Sequence, residues 1–150
     1  MDMKYELTDL KMTMADGTVV HRIRAVKDFT LADGTEVKTG DIGGWIENED
    51  NLSHHGKAWV FDEAMVYGFA LVSGDAMVYG HARIYDDAEV FGESAVYDNA
   101  EVYEGAKVFG KSVISGNALI AGSSKVFGKA MISGNALIAG SSKVSSEQSY

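Results

Sequence analysis

From residue 57 onward, apolar and polar positions recur along the chain with a period of six. Each hexad has a small residue, a variable residue and a Val or Ile, as in Ala76-Met77-Val78, and Gly or a polar residue follows two positions later. Residues two apart point the same way from a strand, and Gly or Asp supplies a turn, so each hexad predicts one short strand and one corner. The aliphatic position is filled in fifteen consecutive hexads, at positions 60, 66, 72, 78, 84, 90, 96, 102, 108, 114, 120, 126, 132, 138 and 144.

Corners that all turn the same way wind such strands into a parallel coil, which is a solenoid. A second period sets its cross-section, because residues 107–124 recur almost unchanged as residues 125–142. Three hexads then form one coil. The sequence predicts an all-β, triangular parallel β-helix of about five coils, roughly 24 Å long. This spacing also predicts one asparagine column and three aromatic columns: Asn99, Asn117 and Asn135; Phe61, Tyr79 and Tyr97; Tyr67, Tyr85 and Tyr103; Phe91, Phe109 and Phe127.

Residues 57–144 resemble the hexapeptide-repeat superfamily of left-handed parallel β-helices, best known from acyltransferases. The aliphatic residue and the small residue two positions earlier match that pattern. The chain departs from it where an aromatic residue precedes the glycine, as in Val78-Tyr79-Gly80. This repeat style, preceded by GDIGGWIENEDNLS, is similar to hexapeptide-repeat proteins of phages and prophages, including relatives implicated in blocking host defence. The resemblance implies a left-handed helix and an anti-defence role, such as anti-CRISPR activity.

Residues 1–56 lack the six-residue period and predict a small N-terminal cap of β-hairpins. Two Ala-Asp-Gly-Thr segments, at residues 15–18 and 32–35, lie among strand-like runs, and Asp-Gly is a strong hairpin signal. Such a cap covers the unpaired backbone of the first coil. We expect Trp45 and Ile46 to seal this end of the prism.

Residues 145–150 form a short polar tail after the predicted β-helix of residues 57–144. The tail is too short to cover a last coil lined by Ile132, Ile138 and Val144. We therefore expect two chains to meet end to end at these three residues, as a homodimer with two-fold symmetry.

Composition narrows the class of protein. The chain of 150 residues has 46% apolar residues, no Cys, no Pro and a net charge of −9. It has no apolar run long enough to cross a bilayer, and the net negative charge argues against direct binding of nucleic acid. We expect a soluble protein of the bacterial cytoplasm that does not bind membranes. The absence of proline fits an unbroken parallel ladder.

The histidines do not form a catalytic constellation in the sequence. His81 is the one His of the coils and falls at a corner, and His21 lies in a strand of the cap with no evident nucleophile. His54 and His55 diverge on extended backbone, which argues against a shared metal. Asp86 and the next residue suggest paired carboxylates, but Asp86 takes a corner position that Gly fills elsewhere. We predict no catalytic residue, no metal site and no cofactor.

Charge is unevenly distributed along the repeats. Residues 62–104 carry ten acids and one base, whereas residues 105–146 carry five lysines and no acid. These acids are spread around all three faces; they serve solubility or attract a basic partner. In the second case, tyrosines beside the acidic corners add contact area. The predicted partner-binding residues are Asp75, Asp86, Asp87, Glu89, Glu93, Asp98, Glu101, Glu104, Tyr67, Tyr85 and Tyr103.

The sequence alone favours a non-enzymatic binding protein, encoded by a phage, that inhibits a host protein such as a CRISPR nuclease or another nucleic-acid enzyme. One alternative is a scaffold protein that stacks end to end. The least favoured alternative is a hexapeptide acyltransferase. An enzyme of that superfamily needs a catalytic His and a loop or helix that builds the acceptor site, and fifteen uninterrupted hexads leave no such loop.

Overall fold

The computed structural model describes residues 3–145. In that range the chain is all-β apart from one short 3-10 helix, Glu49–Asn51, and it forms a parallel β-solenoid of about six turns. The predicted fold class, a parallel β-helix, is confirmed.

Two hairpins and a fifth strand make up the N-terminal region. Strands β1 (Tyr5–Thr13) and β2 (Val19–Ala25) pair antiparallel, and so do β3 (Phe29–Thr30) and β4 (Glu36–Val37). Each hairpin turns at one of the Asp-Gly pairs. In each pair the aspartate carboxylate accepts the amide N–H two residues on, at 2.9 Å, and the glycine has a φ near +90°. Strand β5 (Ile42–Ile46) follows.

Fifteen two-residue strands line the three sides of the solenoid, and each pairs in parallel with the strand eighteen residues away. Sheet III comprises β6 (Trp59–Val60), β9 (Met77–Val78), β12 (Ala95–Val96), β15 (Val113–Ile114) and β18 (Met131–Ile132). Sheet I contains β7 (Met65–Val66), β10 (Arg83–Ile84), β13 (Glu101–Val102), β16 (Leu119–Ile120) and β19 (Leu137–Ile138). Sheet II contains β8 (Leu71–Val72), β11 (Glu89–Val90), β14 (Lys107–Val108), β17 (Lys125–Val126) and β20 (Lys143–Val144).

Two-residue turns form the corners between these sheets, and we name each corner by the sheets that it joins. The I–II corner comprises residues 68–69, 86–87, 104–105, 122–123 and 140–141. The II–III corner comprises residues 74–75, 92–93, 110–111 and 128–129. The III–I corner comprises residues 62–63, 80–81, 98–99, 116–117 and 134–135.

The parallel ladder begins earlier than the repeat pattern. Strand β5 pairs with β2 in antiparallel fashion and with β7 in parallel fashion, and Leu52 forms a parallel bridge to Val72. Residues 42–56 therefore add a turn to the five predicted from the hexads. A Cβ on Gly43 would lie 2.6 Å from the Val60 carbonyl oxygen, so only glycine allows this close approach.

The interior is filled by the residues that the six-residue period predicts. The aliphatic and small positions of the hexads are buried, and serines replace alanine at some of the small positions. Ile46 is buried as expected, but the expectation for Trp45 is wrong. Adjacent residues of a strand point to opposite faces, so Trp45 lies on the outer side of sheet I, 4.3 Å below the Arg22 guanidinium.

Lys4 and Tyr5 lie buried at the end of the solenoid that Trp45 was expected to seal. The Tyr5 hydroxyl donates to the Leu52 carbonyl oxygen at 2.5 Å. The Lys4 ammonium donates to the Ala58 carbonyl oxygen at 2.6 Å and reaches the Gly56 carbonyl oxygen at 3.4 Å. These bonds satisfy backbone carbonyls near the start of the coil, where no earlier turn supplies partners.

Candidate functional site

The aromatic residues after the inward aliphatics stack in columns on the outside of the sheets, as predicted. Tyr67, Tyr85 and Tyr103 lie on sheet I with ring centroids 5.1 and 5.2 Å apart. The Tyr85 hydroxyl donates to the Glu101 carboxylate at 2.8 Å. Burial of the ring, with that carboxylate, raises the pKa of Tyr85. The column therefore presents hydroxyls and ring edges beside carboxylates.

The predicted acidic and aromatic partner-binding residues divide among several places. Seven of them share sheet I and the I–II corner, and the other four lie elsewhere. The shared surface contains Tyr67, Tyr85, Tyr103, Glu101, Asp86, Asp87 and Glu104. Glu89 lies on sheet II, Asp75 and Glu93 at the II–III corner, and Asp98 at the III–I corner.

Several of these acids have a structural role at the corners. Asp86, Asp98 and Glu104 have φ between +54° and +58°, the left-handed conformation that glycine adopts at the equivalent positions. Their carboxylates accept the backbone N–H of the residue one coil further on, at 3.1, 2.9 and 2.8 Å. Asp86 is thus the corner residue that the sequence predicted, because this hydrogen bond offsets the cost of its backbone conformation.

Sequence reasoning missed Phe69, which is 86% exposed at the I–II corner. The second corner position is polar or small in the other hexads from residue 62 to residue 141. The phenylalanine at this otherwise polar or small position is the sequence signal for an exposed apolar site. A large apolar side chain so exposed, next to the tyrosine column, marks a surface suited to binding another molecule.

The β1–β2 hairpin extends sheet I at its N-terminal end, in the order β1-β2-β5-β7, and an arginine of β2 ties it to the coils. The Arg22 guanidinium donates to the Glu63 carboxylate at 2.5 Å and lies over the Trp45 ring. Arg22, together with the Trp45 indole N–H, holds the pKa of Glu63 below its usual range. Glu63 occupies the III–I corner directly before β7, so this ion pair joins the hairpin to the first coil.

A groove of about 410 Å³ lies between the hairpin and sheet I. Met12, Met14 and Met65 give it apolar walls, and Arg83 and Asp16 contribute one charge of each sign. The Asp16 carboxylate accepts the Thr18 amide N–H, which lowers its pKa and keeps it ionised. The volume is in the range of small-molecule sites, and apolar walls with a few charged groups are typical of them.

The histidines differ in the hydrogen bonds that their rings make. The His54 ring stacks on Tyr5; its Nδ1 accepts the Lys4 amide N–H at 3.0 Å and its Nε2 lies 2.8 Å from a Glu49 carboxylate oxygen. Both nitrogens of His54 are therefore occupied. His21 Nδ1 lies 3.0 Å from the Thr8 carbonyl oxygen. His81 is exposed at the III–I corner, two residues before Arg83 in the groove.

The three residues of the predicted dimer contact lie inside the last coils. Ile132, Ile138 and Val144 are at most 5% exposed, because they occupy the inward position of their hexads. Their outward neighbours Met131 and Leu137 are 58% and 63% exposed. The end-to-end contact stays a prediction, and tail residues 146–150 lie outside the described part of the chain.

Between residues 3 and 145, no helix is long and apolar enough to cross a membrane. Over the same residues, no three His, Asp or Glu side chains are grouped so as to bind a metal ion.

Comparison with known proteins gives one informative similarity. No model of a protein family matches the chain. The chain is 32% identical over 78 residues to YdcK of Escherichia coli K12, which is named as an uncharacterized acetyltransferase. The matched region is 47% of this chain and 22% of that protein, so this chain corresponds to about a fifth of the relative's length.

This similarity contradicts the expectation that the protein is not an enzyme. The premise of that expectation was also wrong. It assumed that an acceptor site needs a loop inserted between hexads or a helix after them. The hairpin shows another way to build a pocket, because its tip, which lies outside the repeats, lines a groove together with Met65 and Arg83 of sheet I. The described repeats are uninterrupted, as predicted, but this does not exclude a site.

Proposed function

We propose that this chain takes part in acyl transfer and that the groove between the β1–β2 hairpin and sheet I binds the acyl donor. The observation that carries the proposal is the 32% identity to a protein named as an acetyltransferase. The groove supports it, because it is large enough for a small molecule and combines apolar walls with a cation.

The lining of the groove suits a thioester donor such as acetyl-coenzyme A. Met12, Met14 and Met65 have flexible, polarisable side chains that adapt to an extended alkyl amide arm. The Arg83 guanidinium is suited to a phosphate of the donor or to the oxyanion that forms on the thioester carbonyl. Arg83 is the one base among the acids of residues 62–104, which makes it the natural anion contact there.

Acyl transfer also needs a group that accepts a proton. The acceptor's nitrogen or oxygen attacks the thioester carbon, the carbon–sulfur bond breaks, the acceptor loses a proton to a base, and the sulfur leaves as a thiolate that takes up a proton. We assign this role to His81, because it is exposed and lies at the corner just before Arg83. His54 does not suit the role, since both of its ring nitrogens already have partners.

Two measurements with acetyl-coenzyme A test this function: its binding and the release of free thiol from it. We expect calorimetry to show that Arg83→Ala weakens binding about tenfold or more, the loss of a charge-assisted hydrogen bond. We expect His81→Ala to retain binding and to lose the release of free thiol in the presence of a panel of amine acceptors.

Matched controls are Lys38→Ala for the arginine and His55→Ala for the histidine, since both residues are exposed in the N-terminal region. Both controls are expected to behave as the wild type. The proposal is abandoned if folded wild-type protein does not bind acetyl-coenzyme A, or if His81→Ala releases thiol at the wild-type rate.

A second candidate function is supported by the exposure of Phe69. We propose that Phe69, the Tyr67–Tyr85–Tyr103 column and the acids of the I–II corner bind a basic host protein. Aromatic residues are the usual energetic anchors of interfaces, and surrounding acids speed association with a basic partner. A nucleic-acid enzyme of host defence, such as a CRISPR nuclease, has the required charge. This surface adjoins the groove at Tyr67, which interacts with the Arg83 guanidinium.

Capture from a bacterial lysate tests the second candidate. We expect Phe69→Ser to lose a captured protein that the wild type retains. Leu137→Ser is the matched control, because Leu137 is also an exposed apolar residue of sheet I, far from the acidic corner. If both variants capture the protein equally, Phe69 and its surface do not bind it.

A further inference from the structure

The outer face of sheet II carries acids in its earlier coils and lysines in its later coils. The same face on a second copy that runs in the opposite direction therefore carries the opposite charges at matching levels. Along one column, eighteen residues apart, the outward side chains are Leu71, Glu89, Lys107, Lys125 and Lys143. The neighbouring II–III corner repeats the order acid then base, with Asp75, Glu93, Lys111 and Lys129. Between the two runs stands the stacked column of Phe91, Phe109 and Phe127.

The acids and bases meet within one chain at the middle of this face. The Lys107 ammonium lies 3.7 Å from the Glu89 carboxylate, and the Lys111 ammonium lies 3.6 Å from the Glu93 carboxylate. All four side chains remain between 41% and 63% exposed, so they are accessible to a second molecule. In the part of the chain that the structure describes, Lys125, Lys129 and Lys143 have no ion pair and repeat one like charge per coil, which is unfavourable without a counter-charge.

A two-fold axis between β11 and β14 places each of the three acids of this face opposite a lysine, while Lys125 faces Leu71. For two antiparallel copies, Glu89 faces Lys107 of the second copy and Glu93 faces Lys111, each pair occurring twice by symmetry. Asp75 then faces Lys129, and Phe91 faces Phe109. A parallel arrangement instead places acids opposite acids and lysines opposite lysines, because it keeps each coil level with its equivalent.

We propose that two copies of this chain associate antiparallel through the outer faces of sheet II. The face is about five coils, or roughly 24 Å, long, which is a small interface. The dimer is therefore weak and reversible, and salt weakens it because its ion pairs are exposed. It leaves the groove on sheet I open and does not depend on acyl transfer.

Sedimentation analysis of two charge-reversed variants tests the pairing. One variant is Glu89→Lys with Glu93→Lys, and the other is Lys107→Glu with Lys111→Glu. We expect each variant alone to lose dimerisation, at least tenfold in the dissociation constant, because like charges then face each other. We expect an equimolar mixture of the two variants to form a mixed dimer, since each lysine again faces a glutamate.

The mixture separates contacts between chains from those within one chain. Mixing cannot restore ion pairs inside either variant, so recovery reports on the pairing between copies. Asp9→Lys with Glu36→Lys is the matched control for the first variant, with the same charge change at exposed residues of the N-terminal region, and it is expected to dimerise. A wild type that remains monomeric in dilute salt, or folded variants that fail to pair when mixed, would overturn the proposal.

Discussion

Replacement of Ile120 with alanine is expected to lower the free energy of unfolding by about 3–4 kcal/mol, the usual cost of a large cavity in a core. Ile120 is fully buried in β16, where it lies between Val102 and Ile138 of the adjacent coils. Each coil contacts only its neighbours, so a cavity in this coil weakens the contacts that join the coils before it to the coils after it. Chemical denaturation followed by circular dichroism measures the loss.

The neighbouring residue provides the matched control. Leu119 precedes Ile120 in the same strand but points outward and is only half-buried. Leu119→Ala is therefore expected to cost less than about 1 kcal/mol. Similar losses for the two variants would contradict the assignment of inward and outward positions.

Stability is expected to rise by about 2 kcal/mol between pH 7.5 and pH 9.5 because of Lys4. Burial, and next the charge of Lys27, lower the pKa of Lys4 to about 8, from 10.5 for an unperturbed lysine. Between these two values the unfolded chain binds more protons than the folded chain. Stability therefore increases with pH across this range, and the slope disappears well below pH 8, where both states carry the proton.

Lys4→Met tests the source of this slope, because methionine fills a similar volume without a titrating group. We expect the variant to lose most of the increase between pH 7.5 and pH 9.5 in denaturation curves. Measurements stop at pH 9.5 because burial raises the pKa of Tyr5, which lowers stability with rising pH above about 10. If the slope persists unchanged in Lys4→Met, it comes from a group other than Lys4.

The candidate site depends on how the N-terminal region is placed on the solenoid. Met12 and Met14 lie in a hairpin that the sequence predicted, and Arg83 lies in a strand that it predicted. Their meeting in a groove depends on contacts such as that of Arg22 with Glu63, forty-one residues away. No local pattern encodes such a contact, so the sequence of the coils alone does not indicate a place for a substrate.

The sequence by itself determined the architecture of the coils. A strict six-residue period decides which side chains point inward, because side chains alternate along every strand, and the eighteen-residue period decides which residues stack. It also assigned Asp86 to a corner. The tertiary structure decided the rest: the ladder begins at β5, Lys4 and Tyr5 rather than Trp45 lie at its end, and the hairpin extends sheet I and lines a groove with its tip. Those features arise from packing between distant segments, where shape and unpaired backbone groups decide the outcome and no period is present.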